Sequence, residues 1–164
     1  GGNDTTTNLI GNGIEVLARH PAVRAELVED PSLIAAAVEE MLRLVPPTHS
    51  LPRRSAVDIE LHGRRIPAES RVMLLWHSAN LDDREFSDPD SFDIHRPHPD
   101  RHLTFGFGKH HCLGVHLARM ELDVMLAAVL DRFPDLRLET TDGVKRTGLG
   151  FRMVTSLPCA WSAP

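Results

Sequence analysis

Phe105-Gly106-Phe107-Gly108-Lys109-His110-His111-Cys112-Leu113-Gly114 is the stretch on which the reading of this chain turns. A cysteine closes a glycine-broken loop and stands at the entrance to a long apolar helical pattern beginning near Leu113. Backbone N–H groups and the positive end of a helix dipole favour a thiolate over a thiol at such a place. Gly106 and Gly108 allow backbone angles that a Cβ forbids, so the loop folds tightly under a flat ligand. Gly114 leaves the first helical turn without a side chain where something bulky approaches. A lone thiolate on such a platform suits a metal held mainly by another group, and iron in a porphyrin meets that description. The plainer alternative is a buried structural cysteine after a glycine loop.

The bulk numbers set bounds around this motif. With 164 residues, 41% of them hydrophobic, the chain is long enough for one domain with a real core. A net charge of −5 without a long basic run argues against nucleic acid as the main partner. No apolar stretch approaches the length of a bilayer span and no secretory signal opens the sequence, so a soluble, cytoplasmic protein without a membrane span is expected. The two cysteines, Cys112 and Cys159, make no disulfide framework, and Cys159 reads as an incidental thiol.

Around the loop, periodicity predicts a mainly α fold with small β-sheets. Residues 1–19 are helical in spacing. Pro21 breaks that helix, and 22–29 makes a second, with Val23, Leu27 and Val28 inward. Asp30-Pro31-Ser32 starts a third, which runs to about Val45 before Pro46-Pro47 and carries Ala35 to Val38 on its apolar side. On it, Glu40 and Arg43 share a face; Glu39 with Arg43 is also a permitted pair. Residues 53–75 alternate as a small sheet turning at Gly63. Trp76 to Leu81 suits a short helix, and 88–101 a long ordered loop. Leu113 to Phe133 is the longest helical pattern, with Leu117, Met120, Val124, Leu126 and Leu130 placed for burial. Leu136 to Leu138 and Phe151 to Val154 read as a terminal hairpin.

The pattern F-G-x-G-x-H-x-C-x-G, filled by Phe105, Gly106, Gly108, His110, Cys112 and Gly114, resembles the haem-binding signature of cytochrome P450 monooxygenases. Other ordered stretches resemble the same family: Gly2-x-Asp4-Thr5, Glu40-x-x-Arg43, Arg53 with Asp58, Ser78-Ala79-Asn80, and Phe92-x-x-x-Arg96. The resemblance implies the C-terminal part of that fold: distal helix, E-x-x-R helix, meander, Cys loop, long proximal helix and terminal β-hairpin. Residues 1–164 would then be a portion of one haem-binding domain. The chain opens without methionine, already inside a motif, so its N-terminal half is expected to lie outside this sequence, and the portion alone is expected to be inactive.

The resemblance also assigns roles. Cys112 is the proximal ligand of haem iron and Phe105 packs near its sulfur. Arg53, His102 and His110 face haem propionates, with Arg54 able to stand in for Arg53. Asp4 and Thr5 manage protons for O2 as co-substrate. Glu40, Arg43 and Arg96 form a structural network. The cofactor is haem b. The activity is insertion of one oxygen atom into an apolar substrate (a sterol, fatty acid or terpene-like molecule). Electrons come from a ferredoxin and its reductase or a similar donor, with Lys109, His111 and Arg119 as a docking patch. Two rivals stand beside this reading. A zinc site at His111, Cys112 and His116 lacks the paired-ligand spacing of structural zinc. A non-catalytic haem-thiolate sensor has no need of the Asp4–Thr5 pair.

Overall fold

Helix α3 (Ile34–Leu44) is the beam to which the rest of the computed structural model is fastened; the structure describes residues 1–162. It is prepared by a 3₁₀ turn at Pro31–Leu33, where the Asp30 carboxylate accepts from the Ser32 N–H at 3.0 Å and from its hydroxyl at 2.6 Å. Ile34, Ala37, Val38, Met41 and Leu42 recur at helical spacing and are buried. The α3 helix ends at Val45, whose N–H still bonds Met41 O, immediately before Pro46-Pro47.

Helix α1 (Asp4–Arg19) lies against α3 with Leu9, Val16 and Leu17 inward. The two helices come so close at Gly13 that a Cβ there would stand 3.0 Å from Met41 Sδ. Asn12 adds a hydrogen bond to Val45 O. Helix α2 (Pro21–Glu29) turns Leu27 into the same core. Val28, expected inward, is exposed. Its neighbour Arg24 is buried instead, because its guanidinium reaches Pro134 O at 3.0 Å and Leu17 O at 3.2 Å. Ala35 is likewise on the outer side of α3.

Helix α5 (Val115–Arg132) completes the core through Leu122, Leu126 and Leu130. Leu117, Met120 and Val124, expected to be buried, are exposed. At 100° per residue they project from nearly the opposite side of the helix to Leu122 and Leu126, so this helix is apolar on two faces and the core takes one. Among the described residues no helix is long and apolar enough to cross a membrane.

The β elements are small antiparallel ladders. Strand β1 (Ser50–Arg54) pairs with β4 (Arg71–Leu75), placing Arg53 opposite Val72. Strand β2 (Ile59–Leu61) pairs with β3 (Arg64–Ile66) about a turn with positive φ at His62 and Gly63. The region 53–75 is therefore two ladders, not the single sheet expected. Helix α4 (Trp76–Asn80) follows β4 directly. The terminal region also differs from a simple hairpin. Strand β5 (Arg137–Leu138) pairs with β8 (Cys159–Ala160), and β6 (Lys145–Thr147) with β7 (Met153–Ser156), one ladder enclosed by the other in sequence. Arg146 of β6 grips the buried Glu15 of α1, which holds this end against the helices.

Candidate functional site

The loop that carries Cys112 is held from behind by a buried charge knot. Arg43 forks onto Glu40, with Nε 2.7 Å from Oε2 and Nη2 2.8 Å from Oε1. Its other N–H groups donate to Asn80 O, Pro89 O and Ser91 O, at 2.7 to 2.9 Å. All five guanidinium donors are thus used. Arg96 donates to Glu40 Oε1 at 3.0 Å and to the carbonyls of Ser87 and Asp88. The Asp93 N–H also reaches Glu40 Oε1. Of the two glutamates in reach of Arg43, it is Glu40 that pairs with it. The knot ties the long loop before the Cys segment to α3, and a fully partnered network of this kind fixes one arrangement.

Asn80 splices the knot to the Cys loop, and sequence reasoning gave it no role. Its Nδ2 donates to Arg43 O and Thr104 Oγ1, while its Oδ1 accepts from Leu103 N–H at 2.7 Å. Thr104 Oγ1 in turn donates to Leu42 O at 2.6 Å. The only signal in the sequence was its position in the Ser78-Ala79-Asn80 segment. From this anchor the loop turns at Gly106 (φ +73°), where a Cβ would fall 2.4 Å from the Trp76 ring, so no other residue fits without displacing the indole. A 3₁₀ turn at Gly108–His110 follows, and the Cys112 N–H closes the loop on Phe105 O at 2.9 Å. Cys112 therefore returns beside Phe105, two residues before Gly114 caps α5.

Cys112 opens on a cavity of about 790 Å³. The Cys loop and the start of α5 contribute Phe105, His110, Cys112, Leu113, Gly114 and Leu117, and α1 contributes Thr5, Thr6 and Leu9. Pro47, Thr48, Leu51, Arg53, Trp76 and Phe151 add further wall. A bridge between Thr48 and Phe151 joins two of these segments. Arg53 faces the cavity and Arg54 does not, because successive strand residues point to opposite sides; Arg54 pairs with Glu69 outside. Asp4 is exposed at the first turn of α1 and accepts from Asn3 Nδ2 at 3.2 Å, whereas Thr5 lines the cavity.

Two residues singled out in the sequence, His102 and Arg119, meet at Glu39. His102 is not among the residues of the cavity wall. Its ring is buried, its Nδ1 accepts from Thr104 N–H at 3.2 Å, and its Nε2 therefore carries the proton donated to Glu39 Oε2 at 3.2 Å. Arg119 is not a free surface cation, since both Nε and Nη2 donate to the Glu39 carboxylate. Burial alone would raise the Glu39 carboxyl, but the hydrogen bonds from His102 and Arg119 outweigh it and hold it down at about 2.

The residues present fit haem. An accessible sulfur shares an apolar cavity with an arginine and a histidine, the arrangement a flat macrocycle with acidic edges requires. A Cβ placed at Gly114 would meet nothing within 4 Å, so the glycine keeps open the space above the helix start rather than relieving the backbone, whose φ is −88°. Among the described residues no three His, Cys, Asp or Glu side chains gather to hold a bare metal ion, which leaves the zinc reading without ligands.

Comparison with known proteins agrees with this geometry. The family described as Cytochrome P450 matches residues 1–153. A steroid C26-monooxygenase of Mycobacterium tuberculosis is 45% identical over 144 residues, 88% of this chain and 38% of that protein. A biotin biosynthesis cytochrome P450 of Bacillus subtilis is 42% identical, covering 96% of this chain and 40% of its own length. The solved structure of cytochrome P450 CREJ with (4-ethylphenyl) dihydrogen phosphate superposes with a TM-score of 0.95 at 38% identity, over 98% of this chain and 40% of that one. The chain thus spans about two fifths of the length of the relatives it matches.

Proposed function

The chain belongs to the cytochrome P450 family, and from that premise we propose that it is part of a haem-thiolate monooxygenase that inserts one atom of O2 into an apolar organic substrate. The observation that carries this reading is the sharing of one cavity by the Cys112 sulfur and the Thr5 hydroxyl side of α1. Cys112 would hold haem b through its sulfur, with Arg53 and His110 toward the propionates and Phe105 beside the ligand. Haem bound by a thiolate supplies one-electron chemistry and favours cleavage of the O–O bond.

The chain's own residues supply positioning and protons. The Phe105 carbonyl holds the Cys112 N–H and so fixes the backbone from which the sulfur projects. Thr5 presents a hydroxyl inside the cavity, while Asp4, one residue earlier, sits in solvent, so the pair joins bulk water to the interior as a proton route. Leu9, Leu51, Leu113, Leu117 and Phe151 exclude water from the same space and select an apolar substrate. A sterol, fatty acid or terpene-like molecule suits that lining, and the similarity to a steroid C26-monooxygenase supports the sterol option. Electrons are assigned to a ferredoxin with its reductase or a similar donor.

The test is the reduced, CO-bound spectrum of the haem-loaded protein in its full length, of which this chain is a part. The wild type is expected to show a thiolate-type Soret band, Cys112→Ser to lose it, and Cys159→Ser to keep it. A Cys112→Ser protein that oxidises substrate at the wild-type rate would overturn the reading.

A further inference from the structure

A second charged cluster lies beside the buried knot, and it touches the Cys loop directly. Glu39 and Glu40 are adjacent on α3 and so point about 100° apart. Glu40 faces inward to Arg43 and Arg96, and Glu39 faces Arg119 and His102. The Arg119 guanidinium, gripped through Nε and Nη2 by Glu39, lies over the Phe105 ring at 5.0 Å from its centroid. The His102 ring flanks the same phenyl at 5.9 Å, tilted by 47°. Phe105 in turn lines the cavity with Cys112 and accepts its N–H. A planar cation pinned by a fork onto a ring face restricts that ring far more than apolar packing alone, because Arg119 cannot leave without losing two charge-assisted bonds.

We propose that Glu39 and Arg119 are positioning residues for the cysteine ligand: the ion pair presses a guanidinium onto Phe105, and the held phenyl sets the surroundings of the Cys112 sulfur and the ferric–ferrous equilibrium of the haem it carries. This rests on the reading of Cys112 as the haem ligand. It assigns Arg119, which is partly exposed, a role toward Phe105 rather than toward solvent. It also accounts for a glutamate that serves neither the knot nor the cavity wall, and for a histidine that turns away from the cavity to brace it. The contact acts through geometry, so its removal is to be tested with both charges kept.

The experiment measures the reduction potential of the haem-loaded protein for wild type, Arg119→Lys and Glu39→Asp. Lysine keeps the charge but not the planar face, and aspartate keeps the charge but draws the guanidinium back. Each variant is expected to retain the thiolate-type reduced-CO band and to change the ferric–ferrous equilibrium constant about threefold, the scale of a partly buried cation–π contact. In a Phe105→Leu background the same substitutions should cause no further change, since their effect passes through the ring. A potential unmoved by either variant, or moved equally with and without Phe105, overturns the proposal. If one variant fails to hold haem, the other gives the answer; if both fail, the pair is a structural brace and the proposal falls. A wild type without the thiolate-type band would instead refute the assignment of Cys112, so the two failures are told apart.

Discussion

Glu39 and Glu40 are neighbours in sequence and opposites in situation. Glu40 has no exposed side-chain surface and meets two buried arginines, Arg43 and Arg96. Glu39 keeps 16% of its side-chain surface, and its partner Arg119 keeps 31%. The inner glutamate holds the scaffold: its arginines hydrogen-bond the carbonyls of Ser87, Asp88, Pro89 and Ser91, and so decide where the loop before the Cys segment runs. The outer glutamate works on the site, because its arginine rests on Phe105. The difference teaches that a buried ion pair on α3 is not one kind of object. Full desolvation makes one pair a condition of folding, and partial exposure leaves the other able to tune what it touches.

The largest test of this contrast is Arg43→Ala, which leaves the buried Glu40 carboxylate only one of its two arginines and takes a donor from three carbonyls. A loss on the order of 3–5 kcal/mol is expected, read as a collapse of the denaturation midpoint. If Arg43→Ala unfolded with the wild-type midpoint, the inner pair would be no scaffold. Next comes Glu39→Gln. The Glu39 carboxyl is held at about 2 against an ordinary 4.5, so its contribution is complete above about pH 4.5 and disappears as the pH falls toward 2. The expected cost near neutrality is about 2 kcal/mol, with a flattened acid limb in that window compared with wild type. A variant and wild type that lose stability in parallel from pH 4.5 to 2 would contradict it. The smallest effect belongs to Arg54→Ala, which removes an ion pair with Glu69 that is more than half exposed on both sides. Thermal unfolding should change by no more than about 0.5 kcal/mol, and a larger loss would blur the distinction between exposed and desolvated pairs.

Much of this was legible in the linear chain. The Cys112 loop was, because positive φ at Gly106 and Gly108 and the lone cysteine before a helix are demands made by residues next to one another. The boundaries of α3 were, because Asp30-Pro31-Ser32 and Pro46-Pro47 start and stop a helix by local chemistry. The side of β1 on which Arg53 and Arg54 fall was open, since alternation separates the two without saying which faces the cavity. What His102 meets was open, because a histidine beside such a loop has two ring nitrogens to satisfy, and Glu39, sixty-three residues away in the sequence, takes one of them.

The sequence by itself determined the family, the mainly helical character of the chain and the cysteine loop on which the proposal of a haem ligand rests, for these follow from short patterns with strict backbone and chemical requirements. The tertiary structure alone decided which glutamate meets which arginine, that Asn80 joins the knot to the Cys loop, and that α5 gives Leu122, Leu126 and Leu130 to the core while Leu117, on the cavity wall, and Met120 and Val124 stay outside that core. A helix apolar on two faces, or a carboxylate within reach of two cations, has no preference written in its own residues. The choice comes from the packing energy of elements far away in the chain.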